Sequence, residues 1–287
     1  MKSRITWLLL LCICFIFQSS DLRSYELFTA KGKVATYKDL VKEASKVDVV
    51  LFGELHNSAI AHWLQVELTK SLAEENKNLI LGAEMFEADD QVLLDEYLGG
   101  LISERNFEKE SKLWDNYSTD YKPLVTFAKA NKLPFIATNI PRRYASRVAY
   151  EGPESLADLS EEAKNWICPL PLIADSTLPG YNNLLHLQMG PHANSEYFMY
   201  AQAVKDATMA HFIAENRADK SLFLHFNGAY HSNNFEGISW YLKKRNPKIR
   251  ILTVSCVEGE NLDELTEEEK ESANFIIKID QDVTKTY

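Results

Sequence analysis

Short apolar runs alternate with amphipathic stretches along most of the chain. Residues 49–52, 79–83, 134–138, 221–226 and 248–257 have the length and bulk of buried strands. Between them, Ile60, Leu64, Leu68 and Leu72 recur every four residues and predict a helix over 58–75. Further helices are expected over 91–98, 123–132, 196–216 and 237–244, with an edge strand over 273–279. Near the start, 27–35 reads as a hairpin around Lys31-Gly32, followed by a short helix that Thr36 could cap. Strands alternating with helices predict an α/β fold, a mainly parallel sheet with helices on both faces. The stretch 150–194 breaks the rhythm with Pro153, Pro169, Pro171, Pro179 and Pro191, and reads as a helical or loop insertion, a lid.

The first residues follow another pattern. Lys2 and Arg4 precede an apolar run over 5–17 and then Gln18-Ser19-Ser20, as in a secretory signal, so residues 1–20 are expected to be a leader and 21–287 one domain. The run is short for a spanning helix of about 20 residues, although an uncleaved anchor is the alternative. Leu11 before Cys12 and Ile13 before Cys14 are poor lipidation contexts. Loss of the leader leaves Cys168 and Cys256, which read equally as one disulfide or as buried free thiols. A net charge of −10 on 287 residues, with no basic stripe, excludes nucleic acid as a partner.

Parallel sheets bind ligands beyond the carboxyl ends of their strands, where strand order reverses. Polar residues collect at those ends here. Gly53-Glu54-Leu55-His56 follows the first buried run, Glu84 the second, Asn139, Arg142 and Arg143 the third, and Asn227-Gly228-Ala229-Tyr230-His231 the fourth. If the two Gly-x-x-His strands are neighbours, Glu54, His56, Glu84 and His231 share one crevice, and the glycines leave room for a ligand. His56, Glu84 and His231 could hold a divalent metal, with a carboxylate as general base. The same groups could run acid/base hydrolysis without metal. They could also simply bind, with histidines and arginines holding the carboxylates of a large cofactor.

Six strings in order, over roughly 25–280, resemble the ChaN-like haem-binding uptake proteins of the Tiki superfamily. They are Val-Val-Leu-Phe-Gly-Glu-Leu-His-Asn at 49–57, Gly-Ala-Glu-Met-Phe-Glu at 82–87, Tyr121-Lys122-Pro123-Leu124, Asn-Ile-Pro-Arg-Arg at 139–143, Gln202 with Asp206-Ala207-Thr208-Met209-Ala210, and Asn-Gly-Ala-Tyr-His at 227–231. The resemblance implies haem at the sheet's carboxyl end, export to the periplasm or outer membrane, a homodimer sharing stacked haems, and an outer-membrane haem receptor as partner. It also implies tyrosine ligation of the iron, with Tyr144 first and Tyr181 next, ahead of His186, Met189 and His192 in the insertion. Arg142 and Arg143, with Asn139 beside them, would meet the propionates. Enzymes of the wider superfamily, which includes erythromycin esterases and Tiki proteases, keep the alternative of a hydrolase using Glu54, His56, Glu84 and His231.

Overall fold

Successive strand residues point to opposite faces of a sheet, and that parity organises this molecule. The computed structural model describes residues 22–76, 78–188, 190 and 194–287; the expected leader, Met189 and His192 lie outside them. One sheet is formed by β1 (Tyr25–Thr29), β2 (Val49–Glu54), β3 (Leu79–Glu87), β4 (Phe135–Asn139), β5 (Leu222–Gly228), β6 (Ile251–Gly259) and β7 (Phe275–Asp280). Their spatial order is β1-β7-β6-β2-β5-β3-β4. All neighbours are parallel except β1, which pairs antiparallel with β7. The predicted edge strand is therefore internal. Its Phe275–Ile279 backbone pairs with Tyr25–Thr29, which takes the edge, and the predicted hairpin is present in short form, a bridge between Phe28 and Val34 flanked by the bonds from the Ala35 N–H to the Leu27 carbonyl at 2.7 Å and from the Thr29 N–H to the Lys33 carbonyl at 2.8 Å.

Helices α1 (Tyr37–Ala44), α2 (Ala59–Glu75), α3 (Gln91–Leu98), α4 (Glu104–Glu110) and α5 (Lys122–Asn131) belong to the first half of the chain. Their Leu64, Leu68, Leu72, Leu94 and Leu124 share one core with Val50, Phe52, Leu81 and Phe226 of the sheet. The second half supplies α6 (Arg142–Glu151), α7 (Glu161–Lys164), α8 (Pro179–Leu185), α9 (Ser195–Asn216) and α10 (Ile238–Arg245). Met209, Ile213, Ile238 and Leu242 from the last two cover the opposite face at Val49, Leu51 and Phe223. Alternation of neighbouring residues between two cores is what a sheet covered on both faces requires.

The insertion is a docked layer. Tyr181 and Leu184 of α8 pack on Met199 and Ala203 of α9, and Leu156 and Ile167 pack with Val148 and Val204. Cys168 and Cys256 are both buried free thiols. No helix among the described residues is long and apolar enough to cross a membrane.

The chain goes from β2 outward to β3 and β4, then returns to place β5 between β2 and β3 before β6 and β7 build the other side. Strand order thus reverses around β2 and β5. The two Gly-x-x-His strands are direct parallel neighbours, with Gly53 opposite Asn227 and Glu54 opposite Gly228.

Candidate functional site

Parity sends the two glutamates to opposite faces. Glu54 follows Val50 and Phe52 toward α2, and Glu84 turns toward α9. Each is held by groups from its own side, and the halves meet at the strand ends.

On the first side Glu54 is buried. Its Oε1 accepts hydrogen bonds from the Tyr121 hydroxyl at 2.7 Å and from His56 Nδ1 at 2.8 Å, while Oε2 accepts from the Gln65 amide. His62 lies between Glu54 and Asp120, at 3.5 Å and 3.3 Å. Asn116 donates to the His56 carbonyl at 3.1 Å and to Asp120 at 2.7 Å. A buried carboxylate with this many partners fixes the imidazole it faces. Burial pulls the His56 imidazolium down, but the Glu54 hydrogen bond and the charges of Glu84 and Glu54 outweigh it and raise its pKa.

On the second side β3 leaves β5 after Ala83, and its pairing with β4 shifts register between Ala83 and Glu87. The irregularity lets Glu84 lean across the end of β5, where Oε2 accepts the Gly228 N–H at 2.8 Å. His231 completes the group, with Nε2 at 3.2 Å from Glu84 and Nδ1 at 2.6 Å from Asp206. The Tyr181 hydroxyl donates to the other Asp206 oxygen at 2.6 Å. Burial alone would discharge His231; the charges of Glu84 and Asp206 and their hydrogen bonds reverse this and push its pKa up to about 10. Burial likewise opposes ionisation of Glu84, yet His231, then His56 and the Gly228 N–H, hold it well below the carboxylate range.

The two halves meet at Gly228. A Cβ there would stand 2.7 Å from His56 Nε2, so only glycine lets the first histidine lie against the second motif. Gly53 is equally constrained, since its Cβ would meet the Ala229 Cα at 2.9 Å. Behind them His225 bonds Thr138 at 2.7 Å and Asn227 at 3.0 Å, and burial lowers its pKa to about 4.

Two chambers open above this network. One of about 400 Å³ is lined by Glu54, His56, Gly228 and His231. The other, about 920 Å³, is lined by Trp114, Asn116, Lys112, Arg142 and Arg143, and Tyr287 borders both. Trp114 also packs edge-on against His56, with ring centroids 4.9 Å apart. Other clefts lie along β1 and α1, beside Cys168 and on the outer side of α2, the last lined in part by His62, Asp120 and Thr286.

Glu54, His56, Glu84 and His231 are brought together as their sequence positions suggested. Arg142 and Arg143 line the large chamber; Arg143 is engaged by Asp89 at 2.7 Å, whereas Arg142 is exposed without an ion pair among the described residues. The expected iron ligands are placed otherwise. Tyr144 faces the α6–α9 core, under the Arg143 guanidinium 4.5 Å from its ring, because residues 142, 143 and 146 share the helix face that meets the chamber. Tyr181 is buried with its hydroxyl committed to Asp206, and burial and that charge raise its pKa far beyond a tyrosinate's range. His186 is exposed at the end of α8. Asn139 braces the irregularity in β3, donating to the Glu84 carbonyl at 3.0 Å.

The metal expectation at His56, Glu84 and His231 is also corrected. Both ring nitrogens of His231 are taken by carboxylates, and among the described residues no group of three His, Cys, Asp or Glu is arranged to hold a metal ion. The sequence reading missed Gln65, His62, Asp120, Trp114 and Tyr287 as site residues, and did not assign Tyr121 or Asp206 a role. A polar residue inside an apolar helix stripe was the available signal, as at Gln65 beside Leu64 and at Asp206 beside Ala207.

Comparison with known proteins agrees with this geometry. The family described as "Haem-binding uptake, Tiki superfamily, ChaN" matches residues 40–242, more than half of the chain. Among solved structures, ChaN of Campylobacter jejuni with cofacial haem is similar at 19% identity, covering 89% of this chain and 97% of that one, with a TM-score of 0.67. A Bacillus cereus protein is similar at 12% identity over 90% and 95% of the two chains, with a TM-score of 0.50. No curated protein matches the sequence. The chain belongs to the ChaN family of haem-binding uptake proteins in the Tiki superfamily.

Proposed function

We propose that this is an exported haem-binding protein acting in haem and iron uptake. The observation that carries the reading is the chamber of about 920 Å³ past the ends of β3 and β4, beside the switch point, with Trp114 in its wall and Lys112, Arg142 and Arg143 at its rim. Haem is a flat apolar macrocycle with two carboxylates, and an aromatic wall beside guanidinium groups suits both parts. Arg142, free of ion pairs among the described residues, would meet a propionate, and Trp114 the macrocycle; the bound group supplies an iron centre for delivery. Export rests on Lys2, Arg4 and the apolar run over 5–17. A homodimer and an outer-membrane haem receptor as the source of ligand are part of the same proposal.

Haemin added to the purified protein should produce a Soret band and a saturable heat. Absence of both overturns the reading. Tyr144→Phe should leave the band in place, because that ring faces the core. Fractionation of a tagged protein should place it outside the cytoplasm, and retention inside would remove the uptake role.

One feature favours a second reading, a hydrolase. His56 is backed by Glu54 on one ring nitrogen, lines the smaller chamber and lies close to Glu84, which suits general acid/base work on water. That reading predicts ester or peptide turnover that His56→Ala abolishes. No turnover across such a panel removes it.

A further inference from the structure

Residues 285–287 cross the front of the site. Lys285 bridges to Ser58 and pairs with Glu258, the Thr286 N–H bonds the Asn57 carbonyl at 3.0 Å, and the Thr286 hydroxyl donates to Asp120 at 2.8 Å. Asp120 is buried and shared with Asn116 and His62, so this strap is tied into the network that fixes Glu54 and His56. The next side chain along the strap is of a different kind. Tyr287 borders both chambers, yet the residue is left 69% exposed.

An aromatic side chain standing open beside a cavity gains contact area when a flat apolar ligand lies against it. Trp114 lines the same large chamber and is the other aromatic wall available there. We propose that Tyr287 is a ligand-contact residue, the second aromatic wall, which lies against the face of the macrocycle opposite or beside Trp114. This rests on the haem reading above and extends it to a position that no motif of the family string contains. Partial burial, and the nearby charges of Glu54 and Asp120, raise the pKa of the phenol. The wall role uses the face of the ring, and the spectrum of Tyr287→Phe separates it from ligation through the phenol oxygen.

The test is a titration of the purified protein with haemin and, separately, with metal-free protoporphyrin IX, followed by absorption and fluorescence quenching. Tyr287→Phe should keep both affinities within about twofold and leave the Soret band unmoved. Tyr287→Ala should weaken both ligands by roughly tenfold, as loss of an aromatic contact does. Unchanged affinity in Tyr287→Ala overturns the wall, and a Soret shift in Tyr287→Phe overturns it in favour of a phenolate ligand. Failure of the unaltered protein to bind haemin would instead remove the haem reading on which the proposal rests.

Discussion

His231 shows what a single residue can carry. It is an imidazolium enclosed between two buried carboxylates, Glu84 and Asp206. Replacing it with Ala removes the imidazolium between two buried carboxylates, and breaking a buried pair in this way costs about 3–5 kcal/mol. Guanidinium denaturation of His231→Ala should show that loss; a change below 1 kcal/mol would mean the carboxylates are not charged. The pH dependence has a definite sign. His231 is raised from 6.5 to about 10, so its stabilisation is complete below 6.5 and disappears as pH rises through about 10. Glu84 is lowered from 4.5, so its share is present above 4.5 and is lost on acidification below that value. Thermal melts should therefore be highest between about pH 4.5 and 6.5 and fall steadily from there to about pH 10, and His231→Ala should abolish the alkaline decline.

At the level of elements, the site depends on how helices begin and strands end. Ser58 caps α2, its hydroxyl accepting the Ala61 N–H at 3.3 Å, one step before the turn that carries His62 and Gln65 to Glu54. Ser58→Ala should cost about 1 kcal/mol in chemical denaturation, and an unchanged midpoint would show that tertiary contacts alone hold the helix start. The elements themselves were legible because their apolar periods are strong. The predicted helix over 58–75 and the helix observed over Ala59–Glu75 differ by its cap, and the helix over 91–98 agrees at both ends. Strand ends were less legible. Glu54 and Glu84 look like the first residues of loops, yet both lie inside strands, because burial of a polar residue depends on partners such as Tyr121 and His231 that come from remote parts of the chain. β7 looked like an edge because nothing in its own sequence reveals that β1 will cover it.

At the scale of the molecule, the acidic chain must bind a ligand that is itself anionic. Its net charge of −10 repels haem at long range, and the local cations at the chamber rim must offset that. Lys112 and Arg143 are largely neutralised by Asp89 and its neighbours, which leaves Arg142 as the effective charge. Arg142→Glu should weaken haemin roughly tenfold at low salt, with the difference narrowing as ionic strength rises. Equal affinity for the two proteins would move the propionates elsewhere.

The sequence by itself determined the alternation of strands and helices, the glycine and histidine pairs at strand ends, and the family strings that accompany them. These are local signals, set by periodicity and by residue types that the backbone or the chemistry demands. The tertiary structure decided which histidine is free to meet a ligand and which is locked between carboxylates. It also turned Tyr144 and Tyr181 away from the site while bringing in Trp114 and Tyr287. The reason is physical: the direction of a side chain follows from face parity and packing, which depend on strand order and on contacts between residues more than a hundred positions apart.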